Sequence, residues 1–178
     1  MPVDKYIALD NTGELAEISA TETSTGVSNS GDIVALNSTG KIDISLLPTG
    51  VGQDTSAIVA SEALSSGDLI NIFNNSGSLR VRKADASAPN AGKKADGFVL
   101  SAVVSGGTAT VYLTSGGIIT GLSGLTIGAR YFLSAGTPGS VVVASSRPTT
   151  PGHIAQSVGV ALSSSELIFE RTRAIIVG

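Results

Sequence analysis

The chain of 178 residues has no cysteine and no tryptophan, a single histidine, and only three tyrosines and four phenylalanines. Without cysteine there is no disulfide framework, no thiolate zinc site and no cysteine nucleophile. Charge is scarce as well: Asp, Glu, Lys and Arg make up 14% of the residues, against roughly 25% in an average domain. Eleven basic against 14 acidic residues leave a formal net charge of −3. That balance supplies no basic field to hold polyphosphate, so nucleic acid is not an expected partner. No apolar run approaches the roughly 20 residues that cross a bilayer, so no membrane partner is expected either. Met1-Pro2-Val3-Asp4-Lys5 leads into polar, acidic sequence, which predicts no secretory signal.

What is present in quantity is glycine, 22 residues, together with Ser, Thr and small or β-branched apolar residues that bring the hydrophobic share to 42%. Many turns and few bulky side chains follow from such a composition. The length fits one compact domain with an appendage.

Residues 1–56 read as an extended N-terminal arm, rich in Ser, Thr, Gly, Asn and Asp, with apolar islands too short to build a core. The arm contains an imperfect repeat at an offset of 27 residues: Ile7-Ala8-Leu9-Asp10-Asn11-Thr12-Gly13-Glu14-Leu15 and Val34-Ala35-Leu36-Asn37-Ser38-Thr39-Gly40-Lys41-Ile42. Each copy has a short apolar strand, a polar turn with Gly where positive φ is needed, and a second strand, so each predicts a hairpin. Ala20 to Gly31 reads as a flexible linker, and Leu46-Leu47-Pro48-Thr49-Gly50 closes the arm with an anchor and a breaker. An arm this polar needs something outside the core to hold it.

Residues 57–178 read as a β-rich core. Leu69 to Phe73 and Leu79 to Lys83 flank Asn74-Asn75-Ser76-Gly77, and Leu79 and Val81 alternate with Arg80 and Arg82, which predicts a half-buried hairpin. Phe98 to Val104 and Thr108 to Thr114 flank Ser105-Gly106-Gly107, a second hairpin whose apolar character predicts burial on both faces. Further strands are expected at 130–134, 140–144, 154–162, 167–170 and 174–177. Helical periodicity is almost absent. The expected fold class is therefore all-β, a compact β-sandwich or small β-barrel. Apolar strand edges with so little charge are an aggregation hazard unless paired or covered, which oligomerisation would do.

Catalytic signatures do not emerge. His153 follows Pro151-Gly152 in a turn with no acidic residue at ligand spacing, which favours a surface role over a metal site. No Gly-x-Ser-x-Gly elbow is present, and Gly92-Lys93-Lys94 lacks the earlier glycine of a phosphate-binding loop. Asp54, Glu62, Asp68, Asp85, Asp96, Glu166 and Glu170 stand singly and read as solvated turn residues rather than as a glycosidase pair. Asn37-Ser38-Thr39 and Asn74-Asn75-Ser76 satisfy the glycosylation triplet but are simpler as turns. Arg80, Arg82, Lys83, Lys93 and Lys94 could form a local positive patch facing an acidic partner. Glu170-Arg171-Thr172-Arg173 places charge before the apolar Ala174-Ile175-Ile176-Val177, as suits a strand pairing at a sheet edge. The expectation is a protein that is not an enzyme and has no catalytic residue, cofactor or metal.

Several stretches resemble tailed-bacteriophage virion structural proteins of the head decoration (cement) or head-fibre type. Ile33-Val34-Ala35-Leu36-Asn37-Ser38-Thr39-Gly40-Lys41-Ile42-Asp43 with Ser45-Leu46-Leu47-Pro48 resembles a segment near the N-termini of such proteins. Leu64-Ser65-Ser66-Gly67-Asp68-Leu69-Ile70-Asn71-Ile72, Lys83-Ala84-Asp85, Ala95-Asp96-Gly97-Phe98-Val99, Gly121-Leu122, Gly128-Ala129-Arg130-Tyr131-Phe132-Leu133-Ser134 and Gln156-Ser157-Val158-Gly159-Val160-Ala161-Leu162 resemble a recurrent domain of the same class. The resemblance covers most of the chain and rests on strand and turn patterns. It implies a virion component on the capsid surface, often a homotrimer, with the major capsid protein as partner. On that reading Ile7, Leu9, Ile42, Leu46 and Leu47 of the arm are partner-binding anchors, with Arg80 and Arg82 on the core. The alternative is a tail-fibre or baseplate module that attaches to host carbohydrate. The few aromatics weaken a stacking-type sugar site.

Overall fold

A computed structural model describes residues 5–9, 12–47, 54–87 and 92–178. The chain divides into two compact units, residues 1–52 and residues 53–178. Pro48, Thr49 and Gly50, expected to close the arm, lie outside the described residues, as do Met1 to Asp4 and the turn residues Asp10 and Asn11.

The first unit begins with the expected hairpin. Strands β1 (Lys5–Leu9) and β2 (Leu15–Ser19) pair antiparallel from Lys5↔Ser19 to Leu9↔Leu15. Lys5 and Glu17 form an ion pair across it. The second copy of the repeat keeps the turn but not the strands. Gly40 has φ 72°, as Gly13 has φ 84°, and Asn37 N donates to Lys41 O at 2.8 Å. Asn37 Oδ1 accepts from Thr39 N and Lys41 N, the turn role expected for this asparagine. The chain before that turn goes elsewhere: Val34 bridges Thr21 in parallel, with Thr21 N on Ile33 O and Ala35 N on Thr21 O. That bridge replaces the second hairpin, because residues 33–35 give their backbone bonds to residue 21 rather than to residues beyond Gly40. The expected linker at 20–31 is also built. A 3-10 turn, Val27–Asn29, is enclosed by bonds from Thr25 N to Asn29 Oδ1 (2.7 Å) and from Thr21 Oγ1 and Asn29 Nδ2 to Asp32 Oδ2 (2.6 and 2.9 Å).

The second unit is all-β. Its first five strands are β3 (Thr55–Ala60), β4 (Leu69–Asn75), β5 (Ser78–Lys83), β6 (Gly97–Val99) and β7 (Thr108–Tyr112). They close a barrel in the order β3-β5-β4-β6-β7. Closure depends on β3, which starts two residues before the expected core boundary at residue 57 and runs parallel to β5 and antiparallel to β7. Closing the barrel removes its free edges within one chain, a task expected of oligomerisation. The β4–β5 turn is Ser76-Gly77, both with positive φ (52° and 88°), which matches the twist of the strands it joins.

Period-2 alternation sends β4 and β6 into two different cores. Ile58, Ala60, Ile70, Val81, Val99, Ala109 and Val111 fill the barrel interior. Leu69 and Phe98, their chain neighbours on β4 and β6, point the other way into a larger cluster with Tyr131, Leu133, Val158, Leu167 and Phe169. This explains why β4 and β6 begin as continuous apolar runs. β7 differs from expectation: Ala109 and Val111 are buried while Thr108 and Thr110 are exposed, so its second face meets apolar core only at Tyr112.

The larger cluster is roofed by a second sheet of β8 (Ile118–Ile119), β9 (Arg130–Leu133), β10 (Val141–Val143), β12 (Ser157–Ala161) and β13 (Leu167–Phe169), in the order β10-β9-β12-β13-β8. The run expected at 154–162 is interrupted at Gln156, so that β11 (Ile154–Ala155) leaves the sheet and pairs with β14 (Ile175–Ile176). Phe98 stacks on Tyr112 with centroids 5.2 Å apart and meets Phe169 edge-on at 5.4 Å, joining the barrel wall to the roof.

Candidate functional site

Burial separates the two units sharply. Among the described residues of the first unit only Ala35 is buried, whereas Ile7, Leu9, Leu15, Val27, Ile33, Val34, Leu36, Ile42 and Leu47 are all exposed. Ile7 (71%) and Leu9 (68%) lie on one face of the hairpin, and across the ladder Leu9 stands opposite Leu15. Ile42 follows the second turn, Leu46 is half-buried at the end of the 3-10 turn Ile44–Leu46, and Leu47 is exposed at 38%. The anchors named from the sequence thus fall on two segments. Leu15, Leu36 and Val34, the repeat counterparts of Ile42, Leu9 and Ile7, are exposed as well.

A two-stranded hairpin without a core is marginal in water. Exposed aliphatic side chains cover both hairpin and turns here, and local polar bonds hold the shape. Asp43 Oδ1 accepts from Ser45 N (2.9 Å) and Ser45 Oγ (2.6 Å), which lowers the Asp43 pKa. Hydrogen bonds from the Thr21 hydroxyl and the Asn29 amide lower that of Asp32. Such a surface can bury aliphatic groups in shallow pockets and add backbone bonds to a partner.

On the second unit, the basic cluster is largely occupied. Asn71↔Arg82 and Phe73↔Arg80 are cross-strand neighbours on β4 and β5. Arg82 Nε donates to Asn71 Oδ1 at 3.0 Å, and its guanidinium lies 4.2 Å from the Phe73 ring centre. Lys83 pairs with Asp68 at 3.1 Å, while Lys94 and Arg171 both reach Asp96 Oδ1 at 3.3 Å. Arg80 has no ionic partner among the described residues.

Three carboxylates read as solvated turn residues are buried instead. Asp96 accepts from Asn71 Nδ2 (3.0 Å) and Ile72 N (3.1 Å), Asp68 from Ser65 N (2.8 Å), and Asp85 from Ser87 N (2.8 Å). They organise turns at the strand ends, so their backbone donors decided their burial. His153 is half-buried in the turn before β11, and its backbone N–H donates to Thr150 O. Among the described residues no group of three His, Cys, Asp or Glu is placed to hold a metal ion, and no helix is long and apolar enough to cross a membrane.

No protein-family model matches the chain, and no curated protein matches it. Among solved structures it is similar to the N base of the head fibre gp8.5 of bacteriophage phi29, at 11% identity and a TM-score of 0.47, over 68% of this chain and 98% of that one.

Proposed function

We propose that this protein is a non-enzymatic decoration (cement) protein of a tailed-phage head, which binds the outer shell surface and bridges neighbouring major capsid subunits through its first 52 residues. One observation carries the reading: the first unit has a defined backbone with almost no buried side chain, while the second has two full apolar cores. A polypeptide unit of that kind gains its burial from another molecule. The resemblance of residues 33–48 and of much of the core to phage virion proteins supports the choice of partner.

The internal repeat supports bridging rather than single attachment. Ile7, Leu9 and Leu15 in one copy correspond to Val34, Leu36 and Ile42 in the other, and all six are exposed. Two similar apolar patterns suit two equivalent sites, which a shell of repeated subunits presents. Joining two weak contacts on one chain, and several chains in a homotrimer, turns modest affinities into avidity.

The test is removal of residues 1–52 followed by sedimentation with undecorated heads. The truncated protein should keep its unfolding midpoint and lose binding. Binding retained by residues 53–178 would contradict the arm as the docking element.

A further inference from the structure

The second unit holds an open cleft of about 600 Å³ between the 121–126 loop, the strand pair β9–β10 and the turn at Gly67-Asp68. We infer that this cleft binds a neutral sugar ring. That inference is independent of the arm.

Two polar groups set into the cleft wall carry it. Asp68 is nine-tenths buried, and its Oδ2 is taken by Ser65 N at 2.8 Å and Lys83 Nζ at 3.1 Å. Its Oδ1 has no partner among the described residues. Gly139 keeps that oxygen uncovered, since a Cβ there would lie 2.8 Å from it. Tyr131, 5% exposed, accepts from Thr126 N at 2.8 Å through its hydroxyl and has no acceptor for its own proton among the described residues. The wall thus offers an acceptor that cannot donate and a donor still unused, a pairing that suits alcohol groups. Ser123, Ser140 and Ser146 add hydroxyls, and Leu122 and Val141 give aliphatic surface for the C–H face of a ring.

Charge narrows the class. Lys83 already balances Asp68 and no second acidic residue lines the cleft, so a divalent cation finds no ligand set. An anion would meet the Asp68 carboxylate. The volume falls within the roughly 300–1,000 Å³ of small-molecule sites.

The experiment is saturation-transfer NMR on the full chain with methyl glycosides of glucose, galactose, mannose and N-acetylglucosamine at about 10 mM, with glucuronate and magnesium as charged probes. At least one neutral glycoside should bind in the millimolar range. Asp68→Asn should weaken it about tenfold. Ser123→Trp, on an exposed loop and expected to fold unchanged, should abolish it by filling the mouth; it decides the matter if Asp68→Asn proves unstable. Binding by none of the four glycosides, unchanged binding by Ser123→Trp, or preference for a charged probe would overturn the inference.

Discussion

Gln156 is set against the backbone of Ala95 as though it were a neighbouring strand: Ala95 N donates to Oε1 at 2.8 Å, and Nε2 donates to Ala95 O at 2.9 Å. Nε2 also donates to Thr172 O at 3.1 Å, so one buried carboxamide ties the approach to β6, the β11–β12 junction and the C-terminal segment together. Gln156→Leu leaves Ala95 N–H and C=O buried without partners and should cost about 2–4 kcal/mol. Gln156→Glu, which sets a carboxylate against two carbonyls, should be at least as damaging at neutral pH. Urea unfolding of each variant measures both.

Gly159 is the position where the roof sheet tolerates least. It sits at the β12 bulge with φ 149°, and a Cβ there would lie 1.9 Å from Ile168 O on β13. Gly159→Ala should either fail to fold or lose about 4 kcal/mol or more. Gly77→Asn, in an open turn with nothing near its Cβ position, should cost under about 1 kcal/mol. Comparing their denaturation midpoints checks the contrast.

These two positions also show what the sequence could reveal. The β4–β5 hairpin was legible because its turn residues and the Val81 alternation are local, although Leu79, expected with Val81 on the apolar face of a half-buried hairpin, is exposed near the turn. The break at Gln156 was not, since its partner Ala95 lies 61 residues away. β8 has two residues and no periodicity to detect. The second arm hairpin failed because a parallel bridge to Thr21 claimed its first strand, a contact that strand pattern alone does not encode. For the candidate site, the pattern of exposed apolar positions was readable from the repeat, but the engagement of Arg82 with Asn71 and Phe73 needed the register of two strands.

Arg80 and Arg82 should separate experimentally. Arg82→Ala loses the Asn71 bond and the Phe73 contact and should reduce stability by about 1–2 kcal/mol. Arg80→Ala should leave the unfolding midpoint almost unchanged and, if Arg80 meets an acidic shell surface, slow association with heads most at low salt. Chemical denaturation and light-scattering association kinetics read the two effects.

The arm should loosen in acid. Hydrogen bonds from Ser45 hold the Asp43 carboxyl below its ordinary 3.8, and those from Thr21 and Asn29 do the same for Asp32. A folded pKa that is depressed gives stability present above the unfolded value and lost as pH falls through the folded one. The amide resonances of Ser45 and Thr25 should therefore hold steady above about pH 5 and shift below about pH 4. Asp43→Asn should remove the Ser45 part of that transition, as NMR titration would show.

The most direct test of the cement assignment is to separate purified virions into heads and tails and count this chain against the major shell protein by quantitative mass spectrometry. The account predicts that it travels with heads in a fixed ratio near one copy per shell subunit. A few copies per particle, recovered with the tail fraction, would contradict it.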